Sequence, residues 1–394
     1  MLKLIKMFDA KELFKHYQFS KSKNSDFDFA LVLSVGDFQS RTSNSRLADK
    51  VNDWIEFADA KKVVIVRFLD FNKIPNSNTE VLRAELLLLF IMLKNFRNIR
   101  KFFRYYRSET VYKKPKISGI VESAWKLITD ELNIGAVLGI GLSYELITAC
   151  NDKKIPTAEI QHGLINSTAI ESYWNRYDQN GKKLVPVFYV CWTSSDALIV
   201  SGNGMIPIVV GYPKLILVEA KRYQQKYDFG ITLTHAHEGS ADPFGCVPNE
   251  LIKFVEWCAN GNLQVAIRIH PVTWLNIKAR LNLSDWLSGK FLNIWICDND
   301  DLSINQFLDS VKVHVTFNSS SSIESSMRNI PTYFLDSKTN LEIVGAIFLH
   351  ESNYPACLKN IEVINFPFVV IDNMKVSDAL LKIKSHRGGD TFIH

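Results

Sequence analysis

The sequence is short of the features that place a protein quickly. Its six cysteines, Cys150, Cys191, Cys246, Cys258, Cys297 and Cys357, are scattered and form no CxxC pair. That pattern excludes a disulfide framework and a ribbon-type zinc site, and it fits reduced core cysteines of a cytoplasmic protein. The most apolar window, Leu86 to Leu93, is far shorter than the ~20 residues a membrane-spanning helix needs. The amino terminus, MLKLIKMFDAKELFKHY, lacks a long apolar core followed by small residues. It is expected to form a short amphipathic helix rather than a signal peptide. There is no internal repeat, no low-complexity tract beyond one serine cluster, and no complete GxGxxG. A net charge of +5 makes no case for nucleic acid by itself.

What is present describes a globular chain. The hydrophobic share is 47% and the charged share 22%. At 394 residues there is room for two domains of ordinary size.

The apolar runs alternate with helix-like stretches. Strands are expected at Phe27 to Val35, Lys62 to Phe68, Gly135 to Ile140, Pro156 to Gln161, Val187 to Trp192 and Ile206 to Val210. A polar helix is expected near Ser45 to Phe57, a longer helical pattern over Thr79 to Arg107, and a helix from Tyr144 to about Cys150 with Ser143 as its cap. A charged segment from Pro213 to about Tyr227 reads as a linker. The rhythm then restarts, with strands at Phe229 to Thr234, Leu263 to Ile269, Phe291 to Ile296, Val311 to Phe317 and Thr332 to Leu335, and helices at Asn249 to Cys258 and Ile304 to Leu308. The tail carries a strand-like run after Phe366 and a helix-like VSDALLKIK. Strand–helix–strand order at this spacing argues for parallel sheets in an α/β fold.

Several loops follow strand ends, where such sheets place their ligands. Asp37 follows the first strand, and Glu145 opens the helix after the Gly141-Leu142-Ser143 turn. Gln161, His162 and Gly163 follow the Pro156 strand. Strand alternation puts Glu159 and Gln161 on one face. His235, His237 and Glu238 follow the Phe229 strand; they suit one edge of a metal site, but no clear third ligand lies near. His270-Pro271 closes the Leu263 strand. The stretch KVHVTFNSSSSIESSMRNIPTYFL, from Lys312 to Leu335, combines a buried strand, the serines Ser319, Ser320, Ser321 and Ser322, and a short helix over Ile323 to Asn329 that Pro331 stops. Free backbone N–H groups and small hydroxyls suit an anion there; a serine-rich helix cap is the plainer reading. Glu324 sits one turn in, where it can accept from sugar hydroxyls.

Lys94 to Arg107 interleaves six cations with aromatic residues. This pattern suits an anionic membrane surface or acceptor, a nucleic acid, or a solvated helix with its aromatics packed inward. No recognised nucleic-acid module accompanies it, so no nucleic-acid partner is expected.

Four motifs, PTAEIQHG, VGYP, RIHP and TFNSSSSIESSMRNIP, stand in that order. Together they resemble bacterial glycosyltransferases of the GT-B type that build capsule and O-antigen polysaccharides. The resemblance is to Kdo- and sialic-acid-transferring capsule enzymes, to O-antigen galactofuranosyltransferases and, more distantly, to CDP-glycerol polymer transferases. It covers roughly residues 130 to 335.

The resemblance implies two Rossmann-like domains facing a cleft. Residues 1–213 would bind the acceptor, and residues 214–394 the nucleotide sugar, with the last helix free to cross back. It implies phosphate contacts from His270, Pro271 and Ser319 to Ser322, a ribose contact from Glu324, and a place at the cleft for Gln161, His162 and Gly163; the loop with His235, counted among the nucleotide-sugar contacts, is expected to face the same cleft. The donor would be UDP- or CMP-linked and the acceptor a lipid-linked glycan, with no metal or other cofactor required. A developing phosphate charge needs preorganised donors, and an inverting transfer needs a base for the acceptor hydroxyl. His162 and Asp37 are the first candidates for that base, then Glu145 and Glu159.

Two other readings remain open. Asp298-Asn299-Asp300 matches the DxD pattern of metal-dependent GT-A glycosyltransferases, although acidic residues also precede helices as caps. The basic aromatic helix also suits a non-catalytic module that organises polysaccharide assembly at a membrane surface.

Overall fold

The computed structural model describes residues 19, 26–33, 60–68, 81–94, 96–110, 116–161, 165, 174–175, 177, 181, 183–211, 225–233, 247–270, 273–274, 276–291, 293–297, 302–317, 319, 321–326, 328–335, 347–349, 354–355 and 373–386. Its first part runs β1 (Phe27–Leu33), β2 (Lys62–Val66), β3 (Val81–Arg83), α1 (Ala84–Lys94), α2 (Phe96–Thr110), α3 (Lys116–Leu132), β4 (Ile134–Gly139), α4 (Tyr144–Asp152), β5 (Thr157–Ile160), β6 (Phe188–Cys191), α5 (Ser194–Gly202) and β7 (Ile206–Val209). The second runs β8 (Tyr227–Thr232), α6 (Asn249–Asn260), β9 (Val265–Arg268), α7 (Ile277–Lys290), β10 (Ile294–Ile296), α8 (Ile304–Asp309), β11 (Val311–Thr316), α9 (Ser321–Ser326), β12 (Thr332–Phe334), β13 (Ile347–Phe348) and α10 (Asn373–Ser385).

The strands form two separate sheets. One is ordered β3-β2-β1-β4-β5-β6-β7 and the other β10-β9-β8-β11-β12-β13. Every pairing within them is parallel. In each sheet the order runs outward from the first strand on one side and resumes on the other with the fourth. This is the doubly wound arrangement, and its crevice opens where the order reverses. That point lies between β1 and β4 in the first sheet and between β8 and β11 in the second.

Parallel strands covered on both faces read as continuous apolar runs. Ala30, Val32 and Val137 pack on one side of the first sheet with Trp125, Leu127 and Ile147. Phe29, Leu31 and Leu138 pack on the other. The second sheet buries Phe229, Ile231 and Val315 against Leu251, Phe254 and Leu283, and Ala266 and Val311 against Phe307 and Leu308.

The carboxyl-terminal helix returns to the first sheet. Val376, Ala379, Leu380 and Ile383 follow one helical face and pack against the core around Phe29 and Leu31. Lys384 pairs with Asp28 at 2.7 Å.

The structure differs from the sequence-based expectation in places with clear causes. The pattern over Thr79 to Arg107 contains a strand, β3, before two helices. Three residues are too few to show an alternation, and pairing of Val81 beside Val64 fixes them. The helix after β11 starts at Ser321, two residues earlier than expected, because serines that break a strand also open a helix. The helix expected near Ser45 to Phe57 and the strand-like run after Phe366 lie outside the described residues, whereas the helix-like VSDALLKIK forms part of α10.

Candidate functional site

The site is built on the second sheet. β9, β8 and β11 are neighbours, so their carboxyl ends open side by side. His270 follows β9, the segment carrying His235 follows β8, and the serine loop follows β11. Neighbouring strands lie about 4.8 Å apart, so the backbones leading to His270 and to the serines are about 10 Å apart. His270 is half-buried, and its carbonyl accepts from Trp274 N at 2.9 Å. The guanidinium of Arg280 stacks on the Trp274 ring at 4.6 Å. Among the described residues the buried indole N–H of Trp274 has no acceptor. Pro271, His235, His237, Glu238 and Ser320 lie outside the described residues, as do Asn318 and Asp298 to Asp301.

Beneath the serine loop lies a polar network that the sequence reading missed. Thr232, at the end of β8, places its hydroxyl 2.8 Å from Ser321 Oγ, 3.0 Å from His314 Nε2 and 2.9 Å from Thr316 Oγ1. Thr316 Oγ1 donates back to the Thr232 carbonyl at 3.3 Å. Ser321 Oγ donates to Ser319 Oγ at 2.9 Å, and Ser322 Oγ donates to the Ser319 carbonyl at 2.8 Å. On the far side, Thr332 Oγ1 lies 3.4 Å from His314 Nδ1 and donates to Ser325 Oγ at 2.8 Å. The network spans the switch point between β8 and β11.

His314 is fully enclosed, and burial drops its pKa from 6.5 to about 3. The ring is therefore neutral at physiological pH and holds one proton. If Nε2 carries it, Thr232 Oγ1 accepts from the ring; if Nδ1 carries it, Thr332 Oγ1 accepts and its own proton still goes to Ser325. The only signal in the sequence was the alternation of His314 and Thr316 inside a run that reads as apolar.

Four serines were expected to face phosphate. Ser321 and Ser322 are instead buried, with hydroxyls engaged inside the chain. Ser319 stays partly exposed, and both the hydroxyl and the N–H of Ser321 donate to its side chain. With its lone pairs so occupied, the Ser319 hydroxyl has its own proton to offer outward, which suits an acceptor such as an anion. Glu324 is partly exposed in the first turn of α9. Arg328 ties the loop's far end to α8, donating to Asn305 Oδ1 at 3.2 Å and pairing with Asp309.

The first sheet presents a different picture. The Gly141-Leu142-Ser143 turn before α4 resembles an anion-binding turn, but its N–H groups are already taken. Glu159, from the neighbouring β5, accepts from Gly141 N at 2.6 Å and from Leu142 N at 2.9 Å. Gly141 adopts φ 66°, a conformation glycine reaches without steric cost, and so aims that N–H at the carboxylate. Glu159 is 1% exposed; its carboxylate replaces an anion rather than serving as an accessible base.

Gln161 is equally inward. Its Oε1 accepts from Trp192 N at 2.7 Å, and its side chain also bonds to Asp196. Burial raises the Asp196 carboxyl above its usual range, opposed by bonds from Thr193 and Gln161. Gln161 therefore braces the segment leading to His162 and Gly163. Glu145, in the first turn of α4, accepts from Ser118 Oγ at 2.7 Å. Asp37, His162 and Gly163 lie outside the described residues. Among the described residues no cluster of three or more His, Cys, Asp or Glu is placed to hold a metal ion.

No protein-family model matches this chain, and a comparison with curated proteins finds no similar sequence. Solved structures do match. UDP-N-acetylglucosamine 2-epimerase from Rickettsia bellii aligns over 90% of this chain and 95% of its own, with a TM-score of 0.54 at 11% identity. The Methanocaldococcus jannaschii UDP-GlcNAc 2-epimerase, in complex with UDP-GlcNAc and UDP, aligns over 90% and 98%, with a TM-score of 0.52 at 13% identity. The Neisseria meningitidis UDP-GlcNAc 2-epimerase bound to UDP-GlcNAc aligns over 90% and 98%, with a TM-score of 0.51 at 15% identity. At such identities the likeness concerns the fold: an α/β chain of the GT-B type, with two Rossmann-like domains built on parallel sheets.

Proposed function

We propose that this chain is a nucleotide-sugar enzyme that transfers a glycosyl group from a UDP- or CMP-linked donor to a growing, lipid-linked bacterial surface glycan, of O-antigen or capsule type, on the cytoplasmic side. The observation that carries it is the braced serine loop at the switch point of the second sheet, with His270 two strands away. In this reading Ser319, Ser320, the backbone N–H groups around them and His270-Pro271 hold the donor's phosphates, and Glu324 accepts from the ribose. His235 lines the same edge. The first domain, residues 1–213, takes the acceptor, and the second, residues 214–394, takes the donor.

As the glycosidic bond to the leaving phosphate breaks, negative charge builds on the phosphate oxygen. Hydroxyl and N–H donors already fixed in direction stabilise that charge without reorganising. A base on the first domain takes the acceptor's proton; His162 and Asp37 are the candidates, with Glu145 after them. The scheme requires no metal. Incubating the purified chain with UDP- and CMP-sugars and a synthetic glycan acceptor, with and without EDTA, is the test. Product formation that survives EDTA supports it. No product and no nucleotide binding by calorimetry would refute it, and EDTA-sensitive transfer lost in Asp298→Ala and Asp300→Ala would move the chemistry to a metal.

A second reading is favoured by the structural neighbours, whose names are those of UDP-GlcNAc 2-epimerases. Here the same site holds UDP-sugar, and the reaction inverts a carbon of that sugar without an acceptor. Inversion at a C–H centre by proton removal and return takes a proton from solvent. Reaction in D₂O separates the two: deuterium in a rearranged sugar, formed without any glycan, assigns epimerisation.

A further inference from the structure

The chain's positive charge is concentrated in one place. Residues 86–116 carry nine Lys or Arg and one acid, a net +8, which leaves the rest of the chain at −3. That segment forms α1, α2 and the start of α3.

The packing sorts these cations. The inner side of α2 is structural: Phe102 joins the first domain's core, and Asn98 donates to the Ile91 carbonyl at 3.0 Å. Lys101 pairs with Asp130 at 2.6 Å. Lys94, Arg97, Arg100 and Arg104 remain exposed. Arg97, Arg100 and Arg104 follow i, i+3, i+7 spacing and so share one helical face. Large apolar side chains stand on the same helices: Leu93 is 62% exposed, Phe103 52%, Ile117 65% and Ile120 43%.

We propose that this surface docks on an anionic phospholipid bilayer. Arginines answer the negative headgroups, and Leu93, Phe103, Ile117 and Ile120 enter the boundary between headgroup and acyl chain. A nucleic acid would satisfy the charges but has no use for exposed isoleucine and leucine. A second copy of the same face would set cations against cations. Among the described residues no helix is long and apolar enough to cross a membrane, so the contact lies on the surface.

The face also stands on a definite side of the fold. Ser118 Oγ bonds to Glu145, so the start of α3 lies beside the turn that follows β4. Ile117 and Ile120 therefore stand toward the carboxyl ends of the first sheet's strands. Only the use of this position, to meet a lipid-linked acceptor, rests on the proposed function.

The test is co-sedimentation of the full chain with mixed phosphatidylcholine–phosphatidylglycerol vesicles against pure phosphatidylcholine. Binding is expected to the mixed vesicles and to weaken at high salt. Each arginine removed should weaken it about fivefold, and the triple variant Arg97→Glu, Arg100→Glu, Arg104→Glu should lose more than a hundredfold, about the product of three such losses and more because charge is reversed. The pair Phe103→Ser and Ile117→Ser should weaken the salt-resistant part. Unfolding curves and nucleotide binding like those of the parent separate a lost surface from a lost fold or a failed donor site. Equal binding to both vesicle types, no effect of the charge variants, or binding of RNA but not vesicles with the same variant sensitivity would overturn the proposal.

Discussion

Removing the hydroxyl of Thr232 would leave three buried groups short of a partner: Ser321 Oγ, Thr316 Oγ1 and His314 Nε2. A buried polar group left unpaired costs ~1–3 kcal/mol. Thr232→Val keeps the shape, so its loss of stability, read from the denaturant midpoint, is expected in that range. His314 adds a pH dependence with a definite sign. Its folded pKa of about 3 lies below the ordinary 6.5, so acidification protonates the unfolded chain first. Its contribution is fully present above pH 6.5 and is lost as pH falls toward 3, by up to ~1.4 kcal/mol per pH unit. His314→Gln should flatten that part of the stability profile, measured by chemical unfolding from pH 7 to 4.

At the scale of elements, the β4–α4 turn and the returning α10 carry the clearest expectations. Glu159 satisfies two N–H groups at that turn, and such charge-assisted bonds are strong. Glu159→Gln turns an amide donor toward one of them and should cost ~2 kcal/mol, while leaving nucleotide affinity in the second domain unchanged by calorimetry. Ile383 is fully buried where α10 meets the first sheet. Ile383→Ala should destabilise by ~2–5 kcal/mol, visible as an earlier unfolding transition of that domain. Gly141-Leu142-Ser143 has the residues of an anion-binding turn, and only the neighbouring strand reveals that Glu159 already fills it.

At the scale of the whole molecule, two sheets of one winding direct attention to two switch points. Among the described residues, only the second has its buried polar network beneath a loop with a hydroxyl left to give. A nucleotide that binds there stabilises the native chain through mass action, by ~2.7 kcal/mol at a hundred times Kd. UDP or CMP should therefore raise the melting temperature, and Ser319→Ala should reduce the rise. No shift with either nucleotide would speak against the donor site.

The sequence by itself determined most of the apolar strand runs and their alternation with helices, because parallel strands buried on both faces have no choice but hydrophobic side chains. It also displayed the serine cluster, His270 and the cationic helix, since each stands out by residue type over a few neighbouring positions. Only the tertiary structure decided which of these residues meet. Thr232 and Ser321 are 89 positions apart, and Glu159 and Gly141 are 18, so no local pattern links them. Whether a hydroxyl or carboxylate faces a ligand or its own chain depends on which donors the adjacent strand supplies. That is set by sheet order and burial, which appear once the chain has folded.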